Sequence, residues 1–108
     1  MSSKDEIRRL NDQLRSSQIG GQVMLTAGLV AFFEKDLAAV VERVRAFDDF
    51  SEDNDPYGEH DFGAFEYQGQ TINWKVDYYA LDMEHGSEDP ANAAITKRVL
   101  TILLAEEY

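Results

Sequence analysis

Along this chain the spacing of apolar residues changes several times, and each change marks an element. Ile7, Leu10 and Leu14 recur at three- and four-residue intervals, which predicts an amphipathic helix over residues 3–17. Ser3 and Glu6 have the S-x-x-E spacing of a capping box at its start. Arg8, Arg9 and Arg15 are assigned mostly to the outer faces, where Asp5, Glu6 and Asp12 largely cancel them. Gly20-Gly21 then breaks the pattern as a turn. It is no phosphate cradle, because those glycines would have to follow a strand and open a helix. Residues 22–27 (QVMLTA) read as a short strand. Residues 29–33 are apolar without a readable period, and either extend that strand or lead into a helix. Leu37, Val40, Val41, Val44 and Phe47 return to helical spacing and predict a second helix over residues 34–47.

Alternation takes over after Gly63. Residues 62–67 and 71–79 read as two strands joined by Gln68-Gly69-Gln70, a hairpin in which Gly69 supplies positive φ. Ile72, Trp74, Val76 and Tyr78 share one face. Thr71, Asn73, Lys75, Asp77 and Tyr79 share the other, so one face of the sheet is buried. Asp89-Pro90 has the chemistry of a helix start. Ile95, Val99, Leu100, Ile102, Leu103 and Leu104 are read as the broad apolar face of a last helix running to the end of the chain. In that helix Glu106 and Glu107 would sit unfavourably at the negative end of the dipole. The predicted order is α-β-α-β-β-α. This is a single two-layer α+β domain over residues 1–108, with a three-stranded, mainly antiparallel sheet packed against helices.

Composition narrows the function classes. The chain has 108 residues and no cysteine, which fits one domain and excludes disulfides and thiolate metal sites. No run approaches the ~20 apolar residues of a membrane span, and the first residues lack the apolar core of a signal peptide. The expectation is a cytoplasmic soluble protein with no membrane partner. The formal net charge is −11, and it is uneven: residues 1–47 carry a net +1 and residues 48–108 a net −12. Direct nucleic-acid binding through phosphates needs the opposite sign, whereas this field attracts basic surfaces or cations. General solubility is the plain alternative reading of the same charge.

The acid is densest over residues 48–63 (DDFSEDNDPYGEHDFG), which hold seven carboxylates, one histidine and no Lys or Arg. Asp53, Asp55 and Gly58 match positions one, three and six of a calcium loop, but Tyr57 and Ala64 stand where ligands are required, so this is no EF-hand. Asp53, Asp55, Glu59 and Asp61 still offer clustered oxygens for a hard divalent cation. A second acidic loop, residues 81–88, contains Asp82, Glu84 and His85. His60, Asp61, Asp82 and His85 therefore form the alternative candidate set, for a divalent metal or for acid–base work, if the two loops meet. The competing reading is that His60 only orders its own loop, with Asn54 and Asp55 making turn bonds ahead of Pro56. No serine sits in a G-x-S-x-G context, and no acid stands two residues before Lys75 as a nuclease-like pattern would require. The aromatic set Phe62, Phe65, Tyr67, Trp74, Tyr78 and Tyr79 lacks the interleaved cations of a base-stacking surface and is assigned to packing.

Five segments carry a resemblance: GGQVMLTAG at 20–28, VRAF at 44–47, NDPYGEHDFGAFE at 54–66, WKVDYY at 74–79 and RVLTILLAEEY at 98–108. Together they resemble a family of small bacterial domains of unknown function, met on proteobacterial plasmids and integrative elements. The resemblance implies a mobile-element accessory protein and assigns no activity, substrate or cofactor. Taken with the charge, it favours a non-enzymatic interaction protein without a cofactor. On this reading the protein is a nucleic-acid mimic that blocks a host defence protein of restriction or CRISPR type. Asp48, Asp49, Glu52, Asp53, Asp55, Glu59 and Asp61 would meet a basic protein surface, with Tyr57 as anchor.

Overall fold

The computed structural model describes residues 3–108. Helix α1 spans Ser3–Ser17, strand β1 Gln22–Leu25, helix α2 Ala27–Phe32 and helix α3 Leu37–Arg45. Strand β2 spans Phe62–Tyr67, β3 Gln70–Tyr79 and β4 Lys97–Leu104, with short 3-10 turns at Ala93–Ile95 and Ala105–Glu107. The class is α+β, as expected. The sheet, however, has four strands in the order β1-β4-β3-β2 and is mixed. β2–β3 and β3–β4 pair antiparallel, while β1 runs parallel to β4.

The last segment is the main correction. Residues 97–104 form an inner strand of the sheet, not a helix. Leu100, Ile102 and Leu104 point into the core, and Val99 and Leu103 are only 5% exposed on the other face. A strand covered on both faces reads as a continuous apolar run, and such a run fits a helical face equally well. The β-branched residues Val99, Thr101 and Ile102 favour the strand. Asp89 does not cap a helix: its carboxylate accepts from Ala91 N, inside a turn. Glu107 accepts from the Thr26 hydroxyl at 2.7 Å and from Leu104 N at 2.9 Å. With the Gly28 amide, these donors hold its pKa below the ordinary carboxylate range, Thr26 first. It faces the positive end of α2 rather than the negative end of a helix, so the expected dipole penalty does not arise.

Two smaller differences have local causes. The predicted helix over 34–47 is shorter, α3 over Leu37–Arg45, and a separate short helix, α2, precedes it. α2 starts at Thr26, whose hydroxyl accepts from Leu29 N, and takes in most of the apolar stretch 29–33. The capping box is not formed as expected. Ser3 is already helical, Glu6 pairs with Arg9, and the N-cap position lies outside the described residues. The hairpin forms as expected but one residue tighter: Gln70, in β3, pairs with Tyr67, and the two loop residues, Gln68 and Gly69, both have positive φ (51° and 82°). That is the twist a right-handed two-stranded ribbon accepts.

All three helices lie on one face of the sheet. Leu14, Leu29, Phe33, Val40, Val44 and Phe47 pack on Ile72, Trp74, Val76, Leu100, Ile102 and Leu104. On the opposite face Tyr108 folds back beside Phe62 and over Lys75 Nζ, 5.8 Å from its ring centre. Residues 46–61 connect α3 to β2 and cross the end of the helical layer. They carry the candidate site.

The candidate site: an acidic loop clasped by the first helix

The loop's shape comes from its own polar residues. Asn54 Oδ1 accepts from Ser51 N at 2.8 Å, and its amide donates to Asp49 O at 2.8 Å. Asp55 N donates to Ser51 O, and Asp55 Oδ1 accepts from His60 N at 3.0 Å. Gly58 and His60 both sit at positive φ, 68° and 55°. These are the Asx-type turns that an Asn and an Asp ahead of proline favour.

Helix α1 then clasps the loop from the side. Arg8 donates to Gly58 O at 3.1 Å and Asn11 to Glu59 O at 3.0 Å. His60 Nδ1 lies 2.8 Å from Asp12 Oδ1, and its ring stacks on Phe50 at 3.7 Å, only 4° from parallel. Arg15 anchors the loop's other end. Its Nη1 donates to the carbonyls of Val44, Arg45 and Phe47, at and just beyond the C-terminal end of α3. Its Nη2 donates to Asp12. Beneath them runs a buried polar chain: Arg98 Nε to Asn11 Oδ1 at 2.7 Å, Asn11 to Tyr78 Oη at 2.7 Å, and Tyr78 to Glu59 at 3.1 Å. Burial, then the nearby Glu59 and Asp61 carboxylates, push the Tyr78 phenol well above its ordinary pKa. Desolvation lowers that of Arg98.

The eight residues named from sequence as the docking set divide into two groups. Asp48, Asp49, Glu52, Asp53 and Tyr57 are exposed, Tyr57 to 72%. No ion pair engages these four carboxylates among the described residues. Asp55 is buried and holds the turn, Glu59 bonds Tyr78, and Asp61 is partly buried.

Asp61 has its pKa raised, chiefly by burial and then by the charges of Asp55 and Asp77. A carboxyl of this kind favours folding below its ordinary value of 3.8, and the benefit is lost as pH rises through the raised folded value. Asp61→Asn is therefore expected to melt a few degrees higher than wild type at pH 7. A change of ~1 kcal/mol moves the midpoint of a ~100-residue domain by about 4–8 °C. The advantage should shrink as the pH approaches the ordinary carboxylate range. Thermal melts of both proteins across pH 4–7 check this, and an advantage that grows in acid would contradict it.

The alternative set of His60, Asp61, Asp82 and His85 does not form one cluster. His60 lies between Asp12 and Asp55, its Nε2 3.6 Å from Asp55 Oδ2. His85 pairs with Asp82 in the second loop, Nδ1 to Oδ2 at 2.8 Å. Among the described residues, the group that brings three metal-capable side chains within 4.8 Å is Asp82, Glu84 and His85, all exposed. Asp82 is already occupied as an acceptor: the amide of Glu84, the ring of His85 and the amide of His85 depress its pKa. That pattern makes a closed turn.

Sequence reasoning missed Asn11, Asp12 and Arg15 as parts of the site. Asn11 is fully buried and Arg15 is 6% exposed. A signal was available. Positions 7, 11 and 14 share one helical stripe, with Arg15 beside it, and a polar residue inside a buried stripe needs a polar partner.

Residues 25–107 match the model of a family described as "Protein of unknown function (DUF3768)". The matched span leaves α1, and with it Arg8, Asn11, Asp12 and Arg15, outside it. No curated protein and no solved structure matches the chain.

Proposed function

The chain belongs to the DUF3768 family of proteins of unknown function, and on that premise we propose that it is a non-enzymatic interaction protein. Its exposed carboxylates dock on a basic, nucleic-acid-binding surface of another protein. The observation that carries this reading is the set of hydrogen bonds that holds the acidic loop in one shape. Asp48, Asp49, Glu52 and Asp53 stand in water on a backbone held by α1 and by Asn54. Charges fixed in advance lose little freedom on binding, so more of their attraction appears as affinity. Tyr57, exposed on the same loop, supplies an amphipathic anchor of the kind interfaces favour. The carboxylates would occupy positions built for phosphates, and a mobile-element protein of this kind would thereby block a host defence protein. Asp55, Glu59 and Asp61 serve the loop's structure rather than contact. A divalent-metal reading would rest on Asp82, Glu84 and His85 and not on His60.

The test is retention of host proteins on the immobilised full chain. A basic nucleic-acid-binding protein is expected to be retained at low salt. Duplex DNA or ~0.5 M salt should release it, since screening over a few ångströms removes such attraction. Replacing Asp48, Asp49, Glu52 and Asp53 together by lysine should abolish retention. If the quadruple variant retains the same protein as wild type, the acidic-docking reading is wrong.

A further inference from the structure

β2 is the last strand in the sheet order, so among the described residues one of its edges has no paired strand. Val76 N donates to Asp61 O, which fixes the phase of the antiparallel ladder. In that phase Gly63, Phe65 and Tyr67 exchange hydrogen bonds with β3. The backbone groups of Phe62, Ala64 and Glu66 point the other way, off the sheet. A groove of ≈ 280 Å³ opens at Ala64, walled by Ala46, Phe47, Asp48, Asp49, Ala64 and Phe65. Its one cation, Arg43, lies over the Phe65 ring at 4.7 Å. Asp48 and Asp49 are both exposed at the groove, and Glu66 is exposed on the strand itself.

We propose that this free edge is a track for an extended, Lys/Arg-bearing segment of the partner protein, which adds to the sheet as a fifth strand beside β2. Main-chain hydrogen bonds to Phe62, Ala64 and Glu66 hold the segment, and Asp48 and Asp49 select its cationic side chains. The sign of the charge decides the occupant. A second copy of the chain, itself at −11, would bring the same carboxylates face to face across the edge. Edge strands are commonly protected from self-pairing by such charges. A cationic strand meets no such barrier.

The inference rests on the acidic-docking reading and adds a backbone mode to it, so the experiment separates the two. The probe is a capped eight-residue peptide of alternating lysine and valine, titrated into the full chain. The amides of Phe62, Ala64 and Glu66 are followed by NMR. Binding is expected to shift and protect those amides. Asp48→Lys with Asp49→Lys should weaken binding about tenfold or more at low salt. Ala64→Pro removes an edge donor without touching the β3 ladder, and should weaken it to a similar degree. A peptide N-methylated at alternate residues tests the same bonds without altering the protein. If charge reversal matters while Ala64→Pro and N-methylation do not, acidic docking stands and strand addition is overturned. If none of the changes matters, both fall. If sedimentation shows the unliganded chain dimerising through β2, the occupant is a second copy and the proposal is wrong.

Discussion

Gly63→Val should be among the most damaging single changes in the chain, and Gly63→Ala should already be costly. A Cβ at this position would lie 2.4 Å from Trp74 Nε1, 2.6 Å from Trp74 Cε2 and 2.8 Å from Phe47 Cε1. None of these atoms is the loose end of a flexible chain. Trp74 is fully buried, and the rings of Phe47 and Phe50 meet it edge-on at 5.4 and 6.1 Å. Arg15 lies over the Trp74 and Phe50 rings, 5.4 Å from each centre. Room for a methyl group would require this stack to move as a unit, along with the α3 terminus that Arg15 caps. Overpacking of a filled core typically costs about 1–3 kcal/mol, and the rigidity here places Gly63→Val at the upper end or beyond. That corresponds to a midpoint lower by roughly 10 °C or more, at about 4–8 °C per kcal/mol. Urea unfolding of wild type, Gly63→Ala and Gly63→Val gives the series. Equal midpoints for wild type and Gly63→Ala would show that the strand relaxes away from Trp74. Because Gly63 opens β2 directly after the acidic loop, Gly63→Ala should also speed amide exchange over residues 48–61.

The contrast between readable and unreadable elements follows from how many faces each one buries. β3 was legible because only one side is fully apolar: Ile72, Trp74, Val76 and Tyr78 alternate with Asn73, Lys75 and Asp77. β4 was not, because Val99 and Leu103 are buried as well as Leu100, Ile102 and Leu104. Without alternation, period alone cannot separate a helix from an inner strand. A parallel neighbour for β1 was equally invisible, since pairing is a property of two distant segments. The acidic loop was legible as a location. Which carboxylates face water was not, because that depends on α1. Asp48 and Asp53 are exposed while Asp55 is buried, although their side chains are chemically the same. The two histidines illustrate the same limit. Each sits beside acids in sequence, but His60 is claimed by Asp12, 48 positions away, and His85 by Asp82 within its own turn.

Asn11 is the residue on which the clasp should depend most, and Asn11→Ala is expected to destabilise the fold by about 3 kcal/mol, since it leaves several buried polar groups, one of them charged, short of a partner at once. Arg98 is 2% exposed. Asn11 Oδ1 accepts from its Nε, Pro90 O accepts from its Nη2, and the guanidinium lies 5.1 Å from the centre of the Tyr78 ring. No carboxylate forms an ion pair with it among the described residues. Removing the Asn11 carbonyl leaves a buried cation short of an acceptor, and removing its amide frees Glu59 O and Tyr78 Oη. Arg98→Met deletes the charge while keeping most of the apolar stem, so it should cost less, about 1–3 kcal/mol for the unsatisfied partner it leaves. The double variant Asn11→Ala with Arg98→Met should cost clearly less than the sum, because no buried cation is then stranded. Full additivity in that cycle would mean the two residues act independently, contrary to the geometry. The functional consequence is separable from stability. At a temperature where Asn11→Ala remains folded, a protease should cut within residues 48–61 faster than in wild type. Partner retention should fall although every exposed carboxylate is still present. A loop that stays as resistant as wild type would mean that Arg8, Asp12 and Arg15 suffice to hold it. The acidic surface would then owe its order to the contacts at Gly58, His60 and the end of α3 rather than to the polar chain that holds Glu59.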